Sequence, residues 1–278
     1  MKKILGTFLL AVLVLSLAAC GGKEEAKDEA KEETKLVVGA SNVPHAEILE
    51  QAQPLLEEKG IELEIEIFSD YILPNKALAD KEIDANYFQH IPYLESQMND
   101  NPDYDFVNAG GIHIEPIGVY SQQYNSLEEL PEGATIIMSN SVADHGRILS
   151  MLEDQGLITL KDVEDKTKAT IDDIAENPKN LQFKADVDAG LLPQVYKNKE
   201  GDAVLINANY ALDAGLDPAN DPIAIESSTD NPYVNIITVN KGDETSAEIK
   251  ALVEVLRSEK IQTFIKEEYA GAVVPVSE

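Results

Sequence analysis

Apolar and polar positions alternate along much of the chain in patterns that predict secondary structure. The stretch IELEIEIF (61–68) switches strictly between apolar and charged residues, which predicts a β-strand with one buried and one wet face. KLVVGAS (35–41) and YVNIITVN (233–240) are short apolar runs typical of buried strands. HAEILEQAQPLLEEKG (45–60) has helical spacing and ends at Gly60. Strands and helices are therefore expected to follow one another closely.

The rest of the pattern continues this alternation toward the C-terminus. It predicts a helix, a short strand and a helix within 75–98, two strand-like halves of 105–121 around Gly110-Gly111, strands at 135–138, 181–186 and 203–206, and a helix from about Asp144. A single last helix is predicted from one apolar face, formed by Ile249, Leu252, Val253, Leu256, Phe264 and Ile265. Repeated βα units indicate an α/β fold with helices over mostly parallel sheets.

The chain has room for more than one lobe. Residues 36–278 are enough for one large domain or for two lobes of ordinary size. Two strand-rich, loop-like segments, 118–121 and 230–236, are candidate crossings between lobes. Ligand sites in such folds lie at the carboxyl ends of strands.

The N-terminus has the three-part pattern of an export signal. Lys2 and Lys3 supply positive charge, 4–19 is almost entirely apolar, and small residues precede Cys20. The apolar run is shorter than the roughly 20 residues of a membrane-spanning helix. LAAC at its end resembles a bacterial lipobox, which implies that 1–19 is a lipoprotein signal peptide and that Cys20 carries lipid. The alternative is a small buried cysteine at the end of an ordinary signal peptide.

The residues that follow this cysteine predict a charged, flexible tether at 20–35. Residues 21–35 contain no large apolar side chain, so they cannot bury a core. Because Cys20 is the single cysteine of the chain, its acylation leaves no free thiol and no possible disulfide. This excludes thiol-nucleophile and redox chemistry.

The charge of the chain narrows its partners. Asp and Glu number 51 against 22 Lys and Arg, which gives a net charge of −29 at pH 7. Such a charge repels phosphate backbones and therefore argues against nucleic acid as a partner. It also repels anionic lipid head groups, so attachment to a membrane would depend on the lipid at Cys20.

Catalytic signatures are missing from the sequence. The nucleophile elbow, the paired-histidine metal motif, the phosphate loop and the dinucleotide motif do not occur, so no catalytic residue is predicted, although an extracytoplasmic hydrolase stays open. The histidines, His45, His90, His113 and His145, lack a ligand spacing such as H-x-x-x-H. They either cap helices and supply hydrogen bonds or, alternatively, capture Zn²⁺. His90 ends the stretch NYFQH (86–90), whose mixed aromatic and polar character predicts a pocket rim.

Five stretches combine into a pattern that resembles a known family. They are VGASNVPHAEIL (38–49), FSDYILPNKALADKEIDANYFQHIPYL (68–94), HIEPIGVYS (113–121), INANYALDAGL (206–216) and NPYVN (231–235). Together they resemble the methionine-binding lipoproteins of ABC importers, the MetQ or NlpA family. The resemblance implies a two-lobed periplasmic-binding-protein fold, type II-like, with the ligand between the lobes. The lobes are expected at 36–119 plus 236–278 and at 120–235.

The resemblance also implies a function. The expected ligand is L-methionine, or another apolar amino acid, a D-enantiomer or a short peptide. The expected partners are an ABC permease and, through it, a cytoplasmic ATPase. The expected location is the extracytoplasmic face of the cell membrane, with attachment through lipid. No cofactor and no metal is implied.

The family's ligand contacts transfer to matching positions. Tyr71, Phe88 and His90 resemble the wall around the ligand's side chain, and a thioether gains about 0.3–1.5 kcal/mol from each sulfur–ring contact. Arg147 resembles the arginine that grips the ligand carboxylate, for which a planar guanidinium can form two parallel bonds.

The remaining contacts concern the ligand's charged groups. Asn209 and Asn235 resemble the asparagines that hold the zwitterion, and their carbonyls are expected to accept from the ammonium group. The family usually reads N-D-P-[TS]-N where this chain has Asn140-Ser141-Val142-Ala143-Asp144. Asn140 and Asp144 are therefore also candidates, and Asp144 would place an anion near the ligand's charged end. The alternative for Asp144 is a helix cap.

Overall fold

The computed structural model describes residues 34–276 of the chain. Its strands are β1 (Thr34–Ser41), β2 (Ile61–Phe68), β3 (Ala85–His90), β4 (Phe106–Ile114), β5 (Gly118–Tyr120), β6 (Thr135–Ser139), β7 (Thr159–Leu160), β8 (Ile174–Glu176), β9 (Gln182–Val187), β10 (Ala203–Ile206), β11 (Ala224–Ile225), β12 (Val234–Asn240) and β13 (Val274–Pro275). Its helices are α1 (Glu47–Glu57), α2 (Leu73–Ala79), α3 (Ile91–Asp100), α4 (Val142–Asp154), α5 (Leu192–Lys197), α6 (Ala208–Asp213), α7 (Ala247–Leu256) and α8 (Glu259–Tyr269). None of the helices in 34–276 has the length and apolar character needed to cross a bilayer.

The N-terminal boundary of the folded part lies slightly earlier than expected. Thr34 and Lys35 belong to β1, where they pair with Ile61 and Glu62 of β2. The last two residues of the predicted tether are therefore part of a sheet. The predicted signal peptide and Cys20 lie outside the described residues.

The first sheet has the strand order β13-β4-β12-β3-β1-β2. β1 pairs in parallel with β2 and β3. β12 lies between β3 and β4 and runs antiparallel to both. The prediction of mostly parallel sheets is therefore wrong. A strand that comes late in the sequence separates β3 from β4, which would be neighbours if βα units simply followed one another.

The second sheet has the order β11-β5-β10-β6-β9, and all of its strands lie between residues 118 and 225. β6 is parallel to β9 and β10, whereas β5 is antiparallel to β10 and β11. The chain before and after this segment forms the first sheet, so the predicted two-lobed α/β fold is confirmed. Sheet membership changes at Gly118 and Val234, two residues before each predicted lobe boundary.

Each sheet has its own hydrophobic core. On the first sheet, Ile48 of α1 and Leu252 of α7 are fully buried in the same cluster as Val38 of β1. On the second sheet, Ile148 of α4 and Ile136 of β6 are likewise fully buried together. Burial of one such side chain stabilises the fold by about 1.5–3 kcal/mol. The two cores give the elements around the candidate site independent support.

The predicted single last helix is wrong, because the chain forms α7 and α8. Ser258 adopts an extended backbone conformation at the N-cap of α8, which interrupts the helical run. Leu252 and Ile265, one from each helix, are still buried in the same core. The apolar face was therefore predicted correctly, but it is shared by two helices and does not belong to one continuous helix.

The predicted break at Gly110-Gly111 is also wrong, because β4 runs through both glycines. A Cβ on Gly110 would lie 2.6 Å from Val253 Cγ1, and one on Gly111 would lie 2.7 Å from Val234 Cγ1. Glycine in a strand often marks such a close approach. These two residues let α7 and the start of β12 pack directly against the strand.

Candidate ligand-binding site

A cavity of about 400 Å³ lies where elements of the two sheets converge. It is lined from the carboxyl ends of β3, β4 and β10, from the start of β12, and from α4 and α6. Seven of the eight predicted ligand-binding residues line it: Tyr71, Phe88, His90, Asp144, Arg147, Asn209 and Asn235. The lining residues without a prediction are Gln89, Tyr93, Glu115, Asn207 and Ala208.

The structure does not bring Asn140 into this cavity. Its side chain is exposed, and its backbone N–H donates to the carbonyl of Val187 at 2.8 Å. It lines a separate depression together with Ser141 and Asp188. The backbone pairing beside β9 thus holds Asn140 at the surface, whereas Asp144 is buried inside.

Asp144 is a buried carboxylate at one end of the cavity, with 2% of its surface exposed. Its Oδ1 lies 3.2 Å from His90 Nε2, and its Oδ2 accepts from Asn207 Nδ2 at 3.1 Å. Burial raises the pKa of Asp144, but these hydrogen bonds and the charge of Arg147 outweigh burial and lower it from 3.8 to about 2. Asp144 is therefore ionised at neutral pH, and each of its oxygens keeps a lone pair for a further donor.

The alternative in which Asp144 caps its helix is wrong. α4 begins at Val142, two residues before the predicted start, and Ser141 occupies the N-cap position with an extended backbone. Asp144 lies in the first helical turn, and its side chain bonds to His90 and Asn207. A carboxylate near a helix N-terminus is favoured by the helix dipole, so this placement supports its charge.

His90 joins the cavity to the start of α3. Its Nδ1 accepts from the backbone N–H of Tyr93 at 3.1 Å, which makes His90 the N-cap of α3. The hydrogen of a neutral ring then lies on Nε2, which donates to Asp144. One imidazole thus fixes both a helix end and the orientation of the buried carboxylate.

Arg147 is 4% exposed, and most of its donors bond to the protein. Its Nε lies 3.1 Å from both carboxylate oxygens of Glu226, and its Nη2 bonds to Glu226 and donates to the Glu115 carbonyl at 2.7 Å. Its guanidinium carbon lies 4.6 Å from the ring centroid of Tyr233. Nη1, which is 3.7 Å from Asp144 Oδ1, is the nitrogen left for a ligand. The expected pair of parallel bonds is therefore not available in this arrangement.

Hydrogen bonds assign the amide orientation of two predicted asparagines. Asn209 Oδ1 accepts from the Tyr71 hydroxyl at 2.6 Å, and Asn235 Oδ1 lies 3.1 Å from His45 Nε2. Each carbonyl oxygen has one hydrogen-bond partner and keeps a second lone pair, so each residue offers a ligand its NH₂ group and one further acceptor position. The expectation that the asparagine carbonyls accept from an ammonium group stays a prediction, and the two NH₂ groups also match a ligand carboxylate.

Asn207, which the sequence analysis missed, has the opposite orientation. Its Nδ2 donates to Asp144, and its Oδ1 is buried without a protein partner. An unpartnered buried acceptor is costly unless a ligand or water supplies a donor. Together with Asp144, Asn207 therefore forms an acceptor pair suited to an ammonium group.

Glu115, also missed, forms a second buried carboxylate group with two histidines. Its Oε1 lies 2.7 Å from His113 Nε2 and 3.2 Å from His45 Nε2, and its Oε2 accepts from the Asn209 N–H at 3.1 Å. The Tyr87 hydroxyl bonds to the other nitrogen of His113. Burial raises the pKa of Glu115 and lowers that of His45 to about 4 and that of His113 to about 3. Both imidazoles are thus neutral at pH 7.

The same three residues have the composition of a metal site. Within 34–276, His45, His113 and Glu115 offer ligand atoms that all lie within 4.8 Å of one another. His113 Nε2 bonds to the carboxylate and His45 Nε2 bonds to Asn235 Oδ1, so the observed arrangement is a hydrogen-bonded cluster. The fourth histidine, His145, bonds through Nε2 to the Ser139 carbonyl at 3.0 Å. All four histidines therefore have hydrogen-bond partners, which is the first of the two roles that the sequence allows.

Another part of the cavity wall, its aromatic end, is formed by three rings. The ring centroids of Tyr71, Phe88 and Tyr93 are 5.9–6.1 Å apart in pairs, at inclined angles of 41–80°. Such inclined contacts are the favoured geometry of aromatic pairs. The Tyr93 hydroxyl donates to the Tyr71 carbonyl at 2.8 Å and fixes the wall. Tyr93 was not predicted, although it follows His90 by one helical turn.

The missed polar residues share a signal. Glu115 directly follows β4, and Asn207 directly follows β10. Residues just beyond the carboxyl ends of strands are where α/β proteins place their ligand contacts. Applied residue by residue, this rule identifies both positions.

Comparison with known proteins places these features in context. Residues 36–277 match the family model described as NlpA lipoprotein. The chain is 56% identical over 278 residues to the methionine-binding lipoprotein MetQ of Bacillus subtilis (strain 168), with 100% of both chains covered. A nutrient-binding protein from Burkholderia cenocepacia bound to methionine has a TM-score of 0.80 and 40% identity, covering 86% of this chain and 99% of that one. An ABC transporter periplasmic substrate-binding protein from Coxiella burnetii has a TM-score of 0.80 and 35% identity, covering 87% and 100%.

Proposed function

Because the chain belongs to the NlpA lipoprotein family, we propose that it captures methionine outside the cytoplasm for import by an ABC transporter. The observation that carries this proposal is the division of the cavity into a charged end and an aromatic end. Asp144 and Arg147 lie at the first, and Tyr71, Phe88 and Tyr93 form the second. A methionine zwitterion has a matching charged end and a thioether that suits aromatic walls.

The free donors and acceptors suggest how the zwitterion is held. The ligand carboxylate receives hydrogen bonds from Arg147 Nη1 and from the NH₂ groups of Asn209 and Asn235. The ligand ammonium donates to the Asp144 carboxylate and to Asn207 Oδ1. Each ligand charge thus meets groups that the protein leaves unsatisfied or only partly satisfied. The two lobes, one built on each sheet, close over the ligand because they contribute different contacts.

Native mass spectrometry of freshly purified protein, followed by calorimetry, tests this function. We expect one methionine per chain, with weaker binding of norleucine because a methylene replaces the sulfur and about 0.3–1.5 kcal/mol per lost sulfur–ring contact disappears. D-Methionine, leucine and a methionine dipeptide, run in parallel, define the ligand class. A zinc adduct without amino-acid binding, or tight binding of leucine in preference to methionine, would contradict the proposal.

The family assignment also supports an attachment. We place lipid on Cys20, the tether between it and β1, and the folded part at the extracytoplasmic face of the cell membrane. A permease driven by a cytoplasmic ATPase then receives the bound ligand. Replacement of Cys20 by alanine should release the protein from membranes or leave it uncut, as measured by fractionation and mass. Recovery of a processed, acylated membrane protein from Cys20→Ala would contradict this attachment.

A further inference from the structure

Glu115 has features that a purely structural buried carboxylate does not need. It is 6% exposed and lines the ligand cavity, so part of its surface reaches the space that a ligand would fill. Its Oε1 receives the His113 N–H and lies 3.2 Å from His45 Nε2, whereas its Oε2 receives a single backbone N–H, from Asn209. A carboxylate oxygen accepts two hydrogen bonds, so Oε2 keeps room for one more donor.

The direct partners of Glu115 are electrically neutral. His45 and His113 are uncharged at pH 7, and the Asn209 partner is a backbone amide. Arg147 bonds to the backbone carbonyl of Glu115, while its own guanidinium is bound to the carboxylate of Glu226. A buried carboxylate that lacks a cation of its own is costly, and an arriving ammonium group would relieve that cost.

We propose that Glu115, held in place by His45 and His113, is a second anionic acceptor for the ligand's α-ammonium group, and that its ionisation couples ligand capture to pH. This inference rests on the proposed function and deepens it, because it requires a ligand with a free amino group. His45 and His113 act as positioning residues, since they contact Glu115 and hold its Oε1 away from the ligand. Asp144 receives the same ammonium from the other side of the site.

The direction of the pH effect follows from the two charges. Burial raises the pKa of Glu115 in the free protein. A bound ammonium favours the ionised carboxylate and lowers that pKa in the complex. The affinity for the ligand is therefore highest above the pKa that Glu115 has in the ligand-free protein, and it falls as the pH drops through that pKa. Binding below that pKa releases a proton.

Other titratable groups face Glu115 and must be separated from it. They are His45, His90, His113, Arg147, Tyr71, Tyr87 and Tyr269. The lowered pKa values of His45 and His113 keep them neutral, and the raised pKa values of the three tyrosines keep them protonated, between about pH 5 and about pH 8. Arg147 stays charged. His90 is the other group to be considered. A Glu115 variant retains His90, so it separates the contribution of Glu115 to the pH dependence from that of His90.

Calorimetry with methionine across about pH 5 to about pH 8 tests the inference, using Glu115→Gln as the main variant and Glu64→Gln as a control on an exposed strand position. We expect Glu115→Gln to bind about tenfold to a hundredfold more weakly at the upper pH and to lose the pH dependence. A methionine analogue without its amino group should bind both proteins with similar affinity. Glu64→Gln should match the wild type throughout.

Two measurements keep the outcome clear. Titration of the wild type in buffers of different protonation enthalpy counts the proton released and needs no variant. Glu115→Asp retains the charge, so it should keep the pH slope even if its affinity is lower. Wild-type affinity or an unchanged pH slope in Glu115→Gln, or the absence of proton release in the wild type, would overturn the inference while methionine binding stands. Failure of the wild type to bind methionine at any pH would remove the proposed function itself.

Discussion

The two ends of the cavity are built on different principles. At the charged end, Asp144 and Arg147 are almost completely buried, and most of their bonds go to other protein groups rather than to a ligand. At the aromatic end, Tyr71, Phe88 and Tyr93 meet through inclined ring contacts near 6 Å. Charged groups need partners before a ligand arrives, because unpaired burial is costly. Ligand affinity is therefore expected to depend on individual hydrogen-bonding atoms at the charged end and on the shape of the wall at the aromatic end.

The largest expected effect comes from removing the guanidinium at the charged end. Arg147→Ala leaves the carboxylates of Glu226 and Asp144 without a cation, and a ligand carboxylate without a donor. Loss of one partner from a buried charged pair costs about 2–5 kcal/mol, so affinity should fall at least about thirtyfold. Arg147→Lys should recover only part of the lost affinity, because an ammonium cannot reproduce the bonds to Glu226 and to the Glu115 carbonyl.

A double-mutant cycle isolates the contact from the loss of stability. Calorimetry compares methionine with methionine amide on the wild type and on Arg147→Ala. Amidation of the ligand carboxylate should weaken binding to the wild type strongly and binding to Arg147→Ala hardly at all. Arg257→Ala is a matched control, since Arg257 is the other arginine of the chain and bonds to the Gly111 carbonyl at 2.8 Å. A coupling energy near zero would remove Arg147 from the ligand contact.

The next effect concerns the anion at the same end. Asp144→Asn should weaken a zwitterionic ligand by about 1–3 kcal/mol, because a charged hydrogen bond to the ammonium is lost. Stability should also fall at neutral pH. The folded-state pKa of Asp144 is lowered to about 2, so its ionised form stabilises the protein above its ordinary pKa of 3.8, and this contribution disappears as the pH falls through about 2.

Thermal melting with and without methionine separates these two consequences. Asp154→Asn, at the other end of α4, is the control for charge removal from the same helix. A larger loss of melting temperature for Asp144→Asn in the presence of ligand supports the contact. Equal losses with and without ligand, together with unchanged affinity, would show that Asp144 serves stability alone.

The smallest effect tests the link between the two ends. Tyr71→Phe keeps the aromatic ring but removes the hydroxyl that fixes Asn209 Oδ1 at 2.6 Å. We expect the free energy of ligand binding to weaken by about 0.5–1.5 kcal/mol, because the Asn209 amide is then free to rotate. Tyr210→Phe is the control, since its ring lies 4.9 Å from that of Tyr71 and its hydroxyl bonds elsewhere. Calorimetry that finds identical affinities for both variants would contradict the orienting role of Tyr71.

The sequence allowed most residues at both ends to be predicted, but not the hydrogen bonds that those at the charged end make. Tyr71 and Phe88 stand in a long matching stretch, and an aromatic wall needs no particular partner. Arg147 and Asp144 were also found, but their hydrogen bonds to Glu226, His90 and Asn207 join residues far apart in sequence. Pattern and spacing carry no information on such pairs. The orientation of the Asn209 and Asn235 amides is set in the same way, by Tyr71 and His45.

The fold shows a similar division. The alternation in 61–68 predicted the full extent of β2, Ile61–Phe68, because one face of that strand is exposed to water and the pattern depends only on neighbouring residues. The position of β12 between β3 and β4 depends on chain topology, which no local pattern contains. Gly110 and Gly111 were interpreted as a break for the same reason. The side chains that require glycine there, Val253 for Gly110 and Val234 for Gly111, lie on elements that are distant in sequence.

The double role of His90 has a consequence for how such a protein can change over generations. One ring nitrogen caps α3 and the other orients Asp144, so selection for a new ligand and selection for a stable chain act on the same side chain. A substitution that alters the preferred cargo at this position also alters the start of a helix. Drift toward other solutes is therefore easier through Tyr71 or Phe88, whose rings have no backbone group to cap, than through His90.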